Sequence, residues 1–362
     1  VNWPSGMVER ILQRVSQAIR HRLPLLLVVC YAVALLVPAP GQWIHDLKLP
    51  TSWPELARPN VSQLMVAVLL FLAALGVEVR RLPLVGRRPL LVVLILAAVW
   101  LVPALVVMLV WWVMPLVIDA GMATKLLMGF VLVAAMPVAN SAAAWTQQSR
   151  GELPWALAMV VLSIVACPWM IPLVLKLMGL SFSEGEADAL KALTASFTGL
   201  HFVVWVLLPT AAGIVTRWIV GRERVAKHRP EVLLTSAITL LVLNYINAAC
   251  ALPKMADDFR IGWLVFCVAL ASGQCLVGLG ASQLLGEAFR VPSGTTTALN
   301  YALTMKNTGL AVALASRVLE GHEILLLPVF TTTLVQHLFA GALHRRSMAR
   351  VEKELAQPPE SE

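Results

Sequence analysis

Long apolar runs separated by short charged loops limit what this chain can fold into. A bilayer core about 30 Å thick takes roughly 20 apolar residues per helix. On that template about ten spans emerge, at 23–40, 61–79, 89–116, 125–148, 153–178, 195–219, 231–250, 261–285, 294–318 and 323–343. Hydrophobic residues make up 59% of the chain and charged ones 13%, against about 25% charged in soluble domains. The pattern predicts an all-α integral membrane protein of ten transmembrane helices.

The loops alternate in charge. Arg10, Arg14, Arg20 and Arg22 precede the first run, and Arg80, Arg81, Arg87 and Arg88 follow the second. Arg150 follows the fourth, and Arg217, Arg222, Arg224, Lys227 and Arg229 the sixth. The intervening loops are mixed or acidic, as at Glu184, Glu186 and Asp188. The positive-inside rule then places both termini in the cytoplasm, in a bacterial inner membrane or a plasma membrane. The same loops account for the net charge of +8 without a nucleic-acid partner.

Residues 1–22 are expected to form an amphipathic segment on the cytoplasmic surface, with Met7, Ile11, Leu12 and Val15 on one face. Residues 344–362 are expected to be a cytoplasmic tail, disordered beyond Arg350. No cleavable signal peptide is expected. The five cysteines fall mostly in apolar runs without a CxxC pair and read as small buried hydrophobes.

One charge interrupts this pattern. Residues 298–319 (ALNYALTMKNTGLAVALASRVL) are long and apolar enough to span, yet carry Lys306. A lysine at the centre of a span costs roughly 2.5–3.5 kcal/mol or more, so such residues are usually functional and paired. Five spans starting inside and five starting outside divide the chain into repeats of opposite topology, 23–178 and 195–343. The fourth span of each is interrupted. In the first, Pro137 disfavours helix at Met136, and Asn140 and Ser141 could cap a restarted helix. In the second, the break falls near residues 304–308. Matched interruptions in inverted repeats point to a transporter site, where half-helix N-termini favour an anion. A packing role for such prolines, serines and threonines stands beside that reading.

These stretches resemble the sodium–bile acid symporter family. Residues 136–151 (MPVANSAAAWTQQSRG) are similar to its helix-four motif, C-P-G-G-T-A-S-N-x-x-T-x-x-A-x-G. Residues 304–313 (TMKNTGLAVA) resemble its helix-nine motif, G-M-Q-N-S-G-L-A-x-A, and residues 88–103 its third helix. The resemblance implies ten helices in two inverted five-helix repeats, with discontinuous helices four and nine crossing at mid-membrane. It also exposes departures. The family's sodium ligands fall on Ala142 and Ala143 in helix four, near Ala156 and Val160 in helix five, on Ala302 and Lys306 in helix nine, and on Ala98 in helix three. Alanine and valine side chains offer no oxygen to a hard cation. The resemblance thus implies replaced ion sites, with Lys306 standing where sodium would be, and no sodium is expected.

On the substrate side the resemblance implies Asn140, Ser141, Lys306, Asn307, Thr308 and His337 as binding residues. For His337 a packing role is the alternative. Thr304 and Thr146 at the breaks could equally satisfy unwound backbone. The resulting expectation is a sodium-independent carrier of a small or amphipathic organic anion, working by alternating access. Two alternatives remain: a proton-coupled anion symporter using Lys306, and a non-transporting sensor or scaffold of the same fold. An arsenite-type carrier would want a helix-four cysteine, and that helix has none. An enzyme is not expected, since the chain lacks paired intramembrane carboxylates, an HExxH motif and a Gly-x-Ser-x-Gly elbow. No cofactor or metal is implied.

Overall fold

The computed structural model describes residues 22–47, 60–76, 85–114, 120–179, 199–256, 259–318 and 323–356, together with Val15, Ala18, Ile19 and Thr194. Among these, every regular element is a helix. In chain order they are α1 (Leu23–Leu36), α2 (Ala39–His45), α3 (Val61–Leu75), α4 (Pro89–Val113), α5 (Ala120–Ala135), α6 (Asn140–Gln148) and α7 (Leu153–Gly179). Then come α8 (Leu208–Val220), α9 (Arg222–Lys227), α10 (Arg229–Ala256), α11 (Ile261–Ala288), α12 (Ser293–Thr304), α13 (Thr308–Val318) and α14 (Leu326–Ala356). A π-helical turn, Val203–Leu207, leads into α8.

Among the described residues, six helices are long and apolar enough to cross a membrane, and α1 with α2 makes a seventh if that bent pair is one span. The α4 helix illustrates how a wholly apolar sequence finds two environments. Leu91, Ile95, Val99, Pro103 and Val107, four residues apart, are buried in the protein. Leu101, Leu105, Leu109 and Trp112 on another face are exposed apolar side chains. In water such a helix would be untenable. In lipid the second face is solvated.

The helices sort into two bundles. In one, α10 packs on α1, α2 and α3, and α3 packs on α8. Gly213 of α8 lies against the Phe71 backbone of α3, where a Cβ would collide. That is the close approach small residues permit between membrane helices. In the other bundle, α11 packs on α4, α12 and α14, while α7 packs on α4, α5, α6 and α12. The α13 helix touches both, resting on α14 and also on α3 and α10.

Two expectations need correction. The first apolar run does not continue as one helix to residue 40: Pro38 disfavours helical geometry at Val37, whose φ of −131° and ψ of 70° end α1, and α2 departs at 92°. At the other end, α14 continues to Ala356 rather than giving way to a disordered tail after Arg350. The charged stretch there (ARVEKELA) is rich in strong helix formers. Residues 357–362, and all of the amphipathic segment 1–22 except Val15, Ala18, Ile19 and Arg22, lie outside the described residues. So do Arg80, Arg81, Glu184, Glu186 and Asp188 of the loops. The five cysteines are free thiols.

Candidate functional site

Four residues separate α5 from α6, and three separate α12 from α13. At the first break, Pro137 has no N–H, and Val138 turns its N–H to the Ser163 hydroxyl of α7 at 3.1 Å. At the second, Met305 is extended, with φ −117° and ψ 116°. The two extended segments meet as an antiparallel pair centred on Val138 and Lys306. The Ala139 N–H donates to the Met305 carbonyl, and the Asn307 N–H to the Pro137 carbonyl, both at 2.9 Å. Each break supplies part of what the other lost.

Unwinding at Pro137 still leaves helix-end carbonyls without donors inside an apolar bundle. The Val133 carbonyl accepts from the Met136 N–H at 3.1 Å. That of Ala135 accepts from the Trp100 indole at 3.1 Å. Those of Ala134 and Met136 accept from the Lys306 ammonium, at 3.2 and 2.9 Å. The ammonium's third bond goes to the Val99 carbonyl of α4. That carbonyl is available because Pro103, four residues on, has no N–H to give it. A lysine ammonium has three donors, and here all three have acceptors. Two of them belong to the C-terminal end of α5, the negative end of its dipole. Lys306 is 5% exposed.

A cavity of about 380 Å³ opens beside the breaks, between the two bundles. Asn140, Ser141, Lys306, Asn307, Thr308 and His337 all line it. Gly309, like Ser141 in the first turn of a half-helix, also lines it. Asn307 caps α13, its side-chain oxygen accepting from the Leu310 N–H at 3.1 Å. Asn140 does not cap: Ala139 holds the N-cap position and α6 starts at Asn140 itself. The Asn140 amide instead reaches across to the Leu69 carbonyl of α3, at 3.4 Å. Ser141 lies within the first turn of α6 and likewise is not the cap. Thr308 is occupied by α14, its hydroxyl lying 2.8 Å from that of Thr333. Thr304 and Thr146 donate back to their own helices, at 2.6 and 2.8 Å. His337 bonds through Nδ1 to the Thr333 carbonyl at 2.7 Å, while its Nε2 is buried without a partner among the described residues.

Of the alanines at the expected ion-site positions, Ala142, Ala143 and Ala302 are buried, and Ala98 is half-buried on α4 one residue before Val99. Three contributors escaped the sequence reading. Gln336 pairs with the Lys306 backbone twice, accepting its N–H at 2.9 Å and donating to its carbonyl at 3.1 Å. Ser163 and Pro103 are the others. Ser163 and Pro103 each stand alone inside an apolar run, whereas Gln336 lies among the polar residues Thr331, Thr332, Thr333 and His337.

Two interrupted helices paired through unwound backbone inside an apolar assembly, beside a cavity between bundles, define a membrane carrier. The chain belongs to the Sodium Bile acid symporter family, a family of membrane transporters, whose sequence pattern matches residues 63–257. That match takes in the first break and most of α3 through α10. No curated protein matches the chain.

Proposed function

We propose that this protein carries a small or amphipathic organic anion by alternating access, without sodium, the Lys306 ammonium holding the place of a bound cation. One observation carries the reading: the three ammonium protons meet carbonyls of Val99, Ala134 and Met136. A ring of backbone carbonyls at a helix C-terminus is a cation site, and here its cation is covalently attached. Alanines at positions 142, 143 and 302 offer no side-chain oxygens that sodium could use.

In this reading the helices form ten spans in two inverted repeats, 23–178 and 195–343, flanked by a cytoplasmic segment 1–22 and tail 344–362. Helical pieces fall within each of the ten intervals, and the matched breaks with their antiparallel pairing support it. The anion would sit at the first turns of α6 and α13, contacting Asn140, Ser141, Asn307 and the Gly309 amide, with His337 nearby. Thr308 acts by anchoring α13 to α14. Lys306 contributes charge from behind the wall. Proton symport fits the geometry less well than uniport or exchange. A neutral amine would turn a lone pair toward one of the three carbonyls, which are acceptors only.

The test is uptake of a panel of radiolabelled organic anions into proteoliposomes, with imposed sodium or proton gradients. Uptake and counterflow equal in sodium and in choline are expected. Uptake that requires sodium would overturn the reading. Stimulation by an inward proton gradient would transfer it to the proton-coupled form.

A further inference from the structure

The central cavity is walled off at one end. It runs from Ala226, an exposed residue of α9, inward to Lys306 and Gly309 at the breaks. Among the described residues, its lining on α10 ends at Leu240 and on α14 at Gln336. One turn further along these helices, Leu243, Asn244 and Thr333 are 1%, 2% and 1% exposed. Another turn of α14 brings Phe330, also buried. The layer beyond the breaks is therefore dry, and both bundles contribute to it.

Tyr31 of α1 crosses that layer. Its hydroxyl has one proton and two acceptors near it. Asn244 Oδ1, in the same bundle, lies 2.9 Å away, and the Phe330 carbonyl, in the other, 3.5 Å away. The proton belongs to the shorter contact, because hydrogen bonds fade toward the longer distance. Asn244 is aimed for this, its own amide donating to the Leu240 carbonyl at 2.8 Å. What joins the bundles here is the tilted pair of Tyr31 and Phe330 rings, their centroids 5.4 Å apart. Beside them Leu243 of α10 packs over Gly309 of α13, where an added Cβ would sit 3.3 Å from its Cδ2. The Phe330 carbonyl lies inside α14 and has a helical donor of its own. Parting the bundles at this layer thus leaves no polar group bare, which would otherwise be the costly step. Only apolar contact is given up.

We infer that Tyr31, with Leu243 of the same bundle, forms a gate against Phe330 and Gly309 that closes the cavity on the side away from Ala226. Opening separates the two rings, while Tyr31 stays bonded to Asn244 and travels with α1 and α10. The inference rests on the carrier proposed above and deepens it by naming the barrier that must part.

The experiment uses the full chain carrying Leu240→Cys, at a position that lines the cavity, as its only cysteine. A membrane-impermeant maleimide is added to intact cells and to everted membranes, which present opposite faces. With the gate closed, labelling should be much faster from one face. Tyr31→Ala should raise labelling from the slow face roughly tenfold, the scale of one lost aromatic pair. Phe330→Ala, which removes the opposing ring, should do the same. Tyr31→Phe keeps the ring and should stay near the native rate. Val33→Ala, at an exposed position of α1, should change neither rate. Labelling from the fast face near the native rate reports an intact fold and cavity in each variant. Equal labelling from both faces of the native protein, or a slow-face rate that neither alanine variant raises, overturns the gate. Opening by Tyr31→Phe as large as by Tyr31→Ala overturns the ring contact as the joint. Anion uptake into proteoliposomes is scored separately. Uptake without the labelling pattern removes the gate and keeps the carrier, whereas the labelling pattern without uptake keeps the gate and removes the carrier.

Discussion

The two helix breaks differ in how they are made and in what they contribute. The first is made by backbone chemistry, since Pro137 withholds a donor and releases carbonyls at the end of α5. The second contains no proline and is held by side chains, with Gln336 pairing the Lys306 backbone and Asn307 capping α13. One break offers acceptors and the other brings the donor. A symmetric pair, each closing on itself, would have left no reason for a charge between them.

Removing the donor should do the most damage. Lys306→Met leaves three buried carbonyls unpaired, at about 1–3 kcal/mol each. Thermal unfolding of the purified protein should show a large loss of stability, and uptake should vanish. A stable, active Lys306→Met variant would mean that the breaks close without the charge.

Next, Gln336→Leu strips both partners from the Lys306 backbone, while Ser163→Ala strips one from Val138. Stability losses of about 2–4 and 1–2 kcal/mol follow, measured by denaturation in matched detergent. The reverse order would contradict the view that the second break leans harder on side chains. Pro103→Ala sharpens the comparison from α4, because the new N–H competes with Lys306 for the Val99 carbonyl. Uptake should fall while the fold survives, and unchanged uptake would make that carbonyl dispensable. The smallest effects separate the two asparagines. Asn307→Ala should cost about 1 kcal/mol of stability as a lost cap. Asn140→Ala, which caps nothing, should leave stability nearly unchanged and weaken anion affinity.

Much of this could be read in the sequence, because membrane helices announce themselves by length and the first break by its proline. Lys306 stood out because a charge in lipid is costly wherever it occurs. Its partners did not stand out. Val99, Ala134 and Met136 act through carbonyls that every residue possesses, and only the absence of a donor at Pro103 and Pro137 distinguishes them. The capping of α6 was misplaced because an extended residue of any type, here Ala139, can hold the N-cap position when its own N–H finds a partner elsewhere.

A cation carried on a side chain cannot be left behind on the far side of the membrane. On the proposed cycle, a carrier loaded with a single negative charge is neutral at its centre, and the empty carrier is positive there. Membrane voltage then acts on the unloaded return, at about 2.3 kcal/mol per 100 mV for a charge crossing the full field. The attachment of one ammonium to the backbone therefore decides which half of the cycle the membrane potential drives.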